Sequence, residues 1–252
     1  MVKLTVVKQL SISTGLYKPA RTLYRLLNKS QLAKFHQELE FYSKLIEPGS
    51  LCFDVGANIG EKTEVFLKSG ASVVAFEPQP DCMKELKARC GQYRKKLCMC
   101  QSAVGEESGE AVLHLRESSG QASLLSNWQG KPKNNISVPV TTLDRAIVEF
   151  GTPDYCKIDV EGYELNVLKG LTQAIPLLSF EYHLTECEIE TTRACLNYLS
   201  KFGELLINLT PSSILVFTFQ DWMTIDQFLK VFPDGLRNRE GYFYGDIFVR
   251  IT

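Results

Sequence analysis

"LCFDVGANIGEKT", residues 51–63, decides how this chain is read. An apolar run holds one acid, Asp54, near its end. Gly56 and Gly60 then frame a short turn, and the residues after it have helix-forming chemistry. A buried strand, a tight turn and a helix make the opening unit of an open parallel sheet. In such sheets ligands sit at the carboxyl ends of the strands, so this turn faces the ligand. Glycine at both positions permits a close approach that a Cβ would obstruct. The spacing narrows the ligand further. A dinucleotide fingerprint, G-x-G-x-x-G, lays a pyrophosphate on bare backbone N–H groups. Here Asn58 stands in place of the middle glycine, and the Asp54 carboxylate would repel a pyrophosphate. The turn suits a cationic ligand without phosphate.

Outward from the turn, strand and helix alternate. "KTEVFLKSG" reads as a helix closed by Gly70, "SVVAFE" as a second strand, and "PDCMKELKARCGQY" as a helix with Pro80 near its start. "LCMCQSAV" follows as a third strand. "PDYCKIDV" and "PLLSFEYH" are further strands, with the helix "YELNVLKG" between them. This rhythm gives an α/β fold with a mainly parallel sheet and helices on both faces. "EAVLHL" and "ISVPVTTL" are extra strands outside the rhythm. The polar stretch between them is too long for an idle connection. Residues 116–137 are therefore expected to form a flap, with Ser119, Gly120, Gln121 and Ser123 near the site. Ahead of residue 51, apolar residues recur at helical spacing: Leu23, Leu26 and Leu27, then Leu32, Phe35, Leu39, Tyr42 and Leu45. They predict two helices between Pro19 and Pro48. The chain thus divides into an N-terminal helical extension, residues 1–47, and one α/β domain, residues 48–252.

The chain has 252 residues, 44% of them apolar, which suits one large domain with an appendage. A formal net charge of −1 argues against a nucleic-acid partner. The charge is uneven, with eight Lys/Arg and three Glu in residues 1–47. Those basic amphipathic helices need a cover for their apolar stripe, either the domain core or a second copy in a homodimer. No run approaches the ~20 apolar residues of a membrane span. The opening "MVKLTVVKQL" is broken by lysines and lacks a signal-peptide core. Eight cysteines without framework spacing are expected to be reduced thiols of a cytoplasmic protein.

Glu77 ends the second strand, 23 residues after Asp54. An acid at about that offset can accept ribose hydroxyls, which both NAD and S-adenosylmethionine possess. The sulfonium and ammonium of S-adenosylmethionine fit the acid at position 54 better. "FDVGANIGEKT", "VVAFEPQP", "SAVGEESGEAVLHL", "VPVTTLDRAI" and "PDYCKIDVEGYELNVLKG" then follow in order. With these blocks the chain resembles the FkbM family of S-adenosylmethionine-dependent methyltransferases over about residues 50–185. The resemblance implies a Rossmann-like methyltransferase fold, a mostly parallel seven-stranded sheet whose last strand is antiparallel. It implies methyl transfer to a hydroxyl oxygen of a small-molecule, sugar or natural-product acceptor. It also places Asp54, Gly56, Asn58 and Gly60 at the methionine end of the cofactor, with Thr63 at the following helix. Glu77 would hold the ribose. Ser102 and Ala103, ending the third strand, would lie beside the adenine, and Asp159 would border the cofactor.

Methyl transfer from a sulfonium is an in-line displacement, so the protein must place a hydroxyl and take its proton. "CKIDVEG" puts Asp159 and Glu161 at one strand end, and "SFEYH" puts Glu181 and His183 at the next. Within each pair the residues are two apart and share a face. Lys157 shares the face of Asp159 and could pair with Glu181 if the two strands are neighbours. Charges gathered at strand ends are rarely buried without a partner or a function. His183 titrates nearest neutral pH and is assigned the proton, with Asp159 and Glu181 orienting acceptor or imidazole and Glu161 close by. The carboxylates could also bind a divalent metal, which the spacing does not require. Glu161 could instead serve the N-terminus of the next helix. Trp128 and Trp222 offer aromatic faces for an acceptor or for packing, and His36 and His114 read as structural. Two other functions remain in view. An NAD-dependent oxidoreductase is opposed by Asp54, by Asn58 and by the lack of a Tyr-x-x-x-Lys pair. A non-catalytic nucleoside-binding module is opposed by the strand-end acids.

Overall fold

A computed structural model of the chain describes residues 29–252 apart from Gln129, Ser213, Asn238 and Glu240. The first expected helix, around Leu23 to Leu27, lies outside the described residues. The second forms as α1 (Lys29–Tyr42). Its apolar stripe docks on the core of its own chain. Tyr42 meets Phe66 edge-on, with ring centroids 5.0 Å apart, and Phe41 packs against Phe217 and Phe248 at 5.1 and 5.6 Å.

The opening stretch forms β1 (Leu51–Val55) and α2 (Glu61–Lys68), followed by β2 (Ser72–Phe76), α3 (Pro80–Cys90) and β3 (Leu97–Cys100). Next come β4 (Ala103–Val104), β5 (Gly109–Leu115), β6 (Asn134–Thr141) and α4 (Leu143–Phe150). The second half contributes β7 (Tyr155–Ile158), α5 (Glu164–Lys169), β8 (Leu177–His183), α6 (Glu186–Leu199) and β9 (Leu205–Pro211). The chain closes with β10 (Met223–Thr224), α7 (Ile225–Val231), α8 (Asp234–Arg237) and β11 (Tyr244–Ile251).

The main sheet has the order β10-β9-β11-β8-β7-β1-β2-β3. β3, β2, β1, β7 and β8 run parallel, and β11 inserts antiparallel between β8 and β9. This is the Rossmann-like methyltransferase arrangement, with the reversed last strand that the resemblance implies. The sheet has eight strands rather than seven, because the two-residue β10 pairs along β9. Alternation along β1 and β2 feeds two cores. Phe53, Val55, Val74 and Phe76 join one, while Cys52, Val73 and Ala75 join the other with α1 and α2.

"LCMCQSAV" is not one strand. β3 stops at Cys100, and Ala103 starts β4 in a separate three-stranded sheet of order β4-β6-β5. Ser102 therefore sits in the bend between two sheets rather than at a strand end. The extra strands β5 and β6 pair antiparallel and carry the long loop between them.

Candidate functional site

The chain order reverses between β1 and β7, and a cleft opens there at the strand ends. Its walls include Gly56, Asn58, Glu77, Ser102, Ala103, Asp159, Glu161 and Glu181. Asp54, Gly60 and Thr63 stand behind that wall. The Asp54 side chain is buried and accepts a 2.5 Å hydrogen bond from the Thr63 hydroxyl, which ties the start of α2 to β1. Burial raises its pKa. Gly56 is required by close approach: a Cβ there would run into the backbone oxygen of Asp159 on the neighbouring segment. Asn58 takes a left-handed conformation, φ 48°, and turns its N–H toward Glu77.

Glu77 locks this end together. One carboxylate oxygen accepts from Asn58 N at 2.8 Å, the other from Gln79 N at 2.7 Å. One acid thus joins the turn after β1 to the turn after β2. Its exposure is 3%, and burial pushes its pKa up to about 7 against the opposing backbone hydrogen bonds. Each oxygen keeps a lone pair for a further donor.

The other end is made of charge. Lys157, 2% exposed, donates to Asp159 at 2.6 Å and lies 3.9 Å from Asp246 on β11. Burial alone would lower its pKa, but Asp159 and Asp246 outweigh it and hold the ammonium well above its usual value. The Lys157–Glu181 pair that neighbouring strands would allow does not form: Lys157 pairs with Asp159 and Asp246. The β7–β8 register sets Lys157 beside Ser179, so Glu181 lies two residues farther along. His183 Nε2 stands 3.2 Å from Glu181 Oε2, yet neither atom has a hydrogen-bond partner among the described residues. Burial works against the imidazolium, and the Glu181 carboxylate more than offsets it, so the His183 pKa is raised. Asp159, Glu161 and Glu181 offer oxygens within 4.8 Å of one another, a donor set that a hard divalent cation could use. Burial and then Glu181 push Glu161 up to about 8. His183 itself is off the cleft wall, one step outward along β8.

Glu161, which the sequence also allowed as a partner for the next helix, makes no cap there; the turn before that helix is held by Glu164. This buried acid accepts from Val160 N and Gly162 N, each at 3.2 Å, and burial pushes it up to about 8. Glu161, at φ 56°, is thereby turned toward Trp128, whose Nε1 donates to it at 3.0 Å. The Trp128 ring lies against Gly162, where any Cβ would collide with it, and meets His183 edge-on at 5.6 Å. Trp222 instead packs under Arg250, 4.1 Å from its ring centre. His114 bonds Asn135 at 2.8 Å, a structural contact as expected.

The loop after β5 reaches both ends of the cleft. Ser119 Oγ donates to Asn58 Oδ1 at 3.1 Å, and Gln79 Nε2 donates to Ser119 O at 2.9 Å. Ser119, Gly120 and Ser123 line the cleft, and Trp128 reaches its far end through the bond to Glu161. Its last expected residues, 134–137, belong to β6. Sequence reasoning did not single out Glu164, Asp246 or Tyr244. The first lies in a short helix, and the other two reach the site only through the antiparallel register of β11.

The fold and the strand-end site define an α/β protein of the methyltransferase type. A family model, the methyltransferase FkbM domain, matches residues 54–214, and the chain belongs to that family. Hexuronic acid methyltransferase AglP of Haloferax volcanii is 30% identical over 138 residues, covering 53% of this chain and 55% of that protein. The chain therefore spans about half the length of this curated relative. Among solved structures, a TehB-like SAM-dependent methyltransferase from Corynebacterium glutamicum is 12% identical, with 93% and 100% of the two chains covered and a TM-score of 0.46. Precorrin-6y C5,15-methyltransferase from Geobacter metallireducens is 9% identical, with 85% and 87% covered and a TM-score of 0.43. Among the described residues no helix is long and apolar enough to cross a membrane.

Proposed function

We propose that the chain transfers a methyl group from S-adenosylmethionine to a hydroxyl of a small-molecule or glycan acceptor. The observation that carries this reading is that one cleft is walled by Glu77 and Asn58 at one end and by Asp159, Glu161 and Glu181 at the other. A nucleoside held at the first end reaches toward acid–base groups at the second.

The residues fit that cofactor. Glu77 accepts the ribose hydroxyls with the lone pairs its two backbone bonds leave free. Gly56 keeps the wall beside Asp159 free of a side chain, and Ser102 and Ala103 border the base. The carboxylates near the strand ends attract a sulfonium and an ammonium through charge. When bound, S-adenosylmethionine supplies the electrophilic methyl group and the leaving thioether.

The chain's own part is to hold the hydroxyl and take its proton. The proton goes to the Glu181–His183 pair, with His183 as base and Glu181 stabilising the imidazolium. Asp159, held by Lys157, orients the acceptor from the neighbouring strand. The named relative acts on a hexuronic acid. A sugar acceptor therefore suits this chain, and its carboxylate-lined strand ends favour a hydroxyl over an anionic nucleophile.

Calorimetry with S-adenosylhomocysteine and with NAD tests the cofactor. Binding of S-adenosylhomocysteine with NAD inert is the expected result. Binding of NAD with S-adenosylhomocysteine inert would replace this reading with the oxidoreductase.

A further inference from the structure

We propose that Tyr244 is the platform on which the acceptor lies, and that the acceptor presents a neutral pyranose ring. The inference rests on the reading of the cleft as a methyl-transfer site.

β8 and β11 run antiparallel side by side, and the register sets Tyr244 opposite His183 and Asp246 opposite Glu181. Residues two apart on a strand share a face. Tyr244 and Asp246 therefore stand in a second row beside His183 and Glu181. The rings of Tyr244 and His183 are nearly parallel, at 17°, with centroids 5.6 Å apart. At a ring separation of about 3.5 Å, those centres are slipped by roughly 4.4 Å, an offset stack. Much of the tyrosine face on the histidine side is thus left uncovered. Tyr244 is 46% exposed. An aromatic surface open to solvent beside the proposed base has no structural role in the cores, which bury their aromatic rings.

The chemistry of the surroundings selects the ring. A pyranose has a face of C–H groups, which packs on an aromatic ring, and a rim of hydroxyls. The rim would meet the carboxyl groups of Asp159, Glu161, Glu181 and Asp246, whose oxygens accept hydrogen bonds. A planar aromatic acceptor could stack as well, but it brings too few hydroxyl donors for this rim. An anionic ring would face carboxylates at short range. A neutral polyhydroxylated ring satisfies both the stack and the acids. Trp128 already packs edge-on with His183, while Tyr244 is exposed, so the acceptor approaches along Tyr244.

Saturation-transfer NMR tests this, using methyl β-D-glucopyranoside, methyl β-D-galactopyranoside, methyl α-D-mannopyranoside and methyl β-D-glucuronide with S-adenosylhomocysteine present. At least one neutral glycoside should receive saturation on its axial C–H groups, more than the glucuronide does. Tyr244→Ala should cut that signal roughly five-fold, the scale of one stacking contact, and Tyr244→Phe should keep it. Calorimetry on the same samples should give unchanged S-adenosylhomocysteine affinity, which also confirms that the variants fold. An equal signal in Tyr244→Ala, no response from any neutral glycoside, or a stronger response from the glucuronide would overturn the proposal while leaving the cofactor reading intact. Loss of S-adenosylhomocysteine binding by the parent protein would remove the cofactor reading and this proposal with it.

Discussion

At the β1–β2 end of the cleft the backbone is held and one acid does the holding. Glu77 takes the amides of Asn58 and Gln79, and Gly56 lets β1 approach the segment after β7. At the β7–β8–β11 end nothing is so local. Trp128, Asp159, Glu161, Glu181, His183, Tyr244 and Asp246 arrive from four separate stretches of chain and meet through side chains. The first end is geometry that a nucleoside can rely on, and it can be encoded in two short motifs. The second is a charge distribution, set by register, that a neighbouring loop completes. A common cofactor and a particular acceptor would leave this contrast.

The largest expected effect separates the two ends outright. His183→Ala should slow methyl transfer by roughly 10²–10⁴, with S-adenosylhomocysteine affinity unchanged. Single-turnover rates and calorimetry on the same variant check both halves. If His183→Gln keeps most of the turnover, the histidine only positions, and proton removal passes to Glu181 or Asp159. In the parent enzyme the raised His183 pKa carries a sign. The base must be neutral, so the rate should climb with pH through a value above 6.5.

Glu77→Ala is the mirror experiment and should weaken S-adenosylhomocysteine by about 1.5–3 kcal/mol, roughly 10- to 150-fold. Equal affinity in a folded variant would dissolve the distinction between the ends. A pH series sharpens it. Ribose hydroxyls need the ionised carboxylate, and the Glu77 pKa stands at about 7. Affinity should therefore rise as pH rises through about 7, and that rise should vanish in Glu77→Gln.

Gly162→Ala touches only the far end. Its φ of 89° and the Trp128 ring against it leave no room for a methyl group. A stability loss of about 1–3 kcal/mol is expected, together with faster proteolysis between β5 and β6. An unchanged cleavage rate would mean that Trp128 does not hold the loop.

The smallest effect concerns the ligand-free protein. Glu164 and Glu161 at about 8 and Glu77 at about 7 all lie above the ordinary value of 4.5. A folded-state pKa raised above the unfolded one gives stability that is full at low pH and lost as pH climbs through the folded value. Melting temperature should thus fall between pH 5 and pH 9 through these groups. Glu164→Gln should flatten the upper part of that curve. A melting temperature that rises over the same range would contradict the burial argument.

The sequence made the first end legible because its signals are contiguous. Asp54, Gly56, Asn58 and Glu77 lie in two motifs at a fixed spacing, and the strand rhythm predicts where they meet. The second end was legible only along each strand. Period-two spacing paired Asp159 with Glu161 and Glu181 with His183, but the β7–β8 register, which moved Lys157 off Glu181, is not written in either segment. Tyr244 and Asp246 were hidden for the same reason, since their strand returns antiparallel from the end of the chain. The break between Cys100 and Ala103 escaped because an apolar run continues across it while the chain changes sheet.

A crystal structure with S-adenosylhomocysteine tests the central claim most directly. The account predicts the ribose hydroxyls at hydrogen-bond distance, about 2.6–3.2 Å, from the Glu77 carboxylate, with the sulfur facing Asp159 and Glu181 at the ends of β7 and β8. A nucleoside bound outside this cleft, or one lying in it with the sulfur turned away from those strand ends, would contradict it.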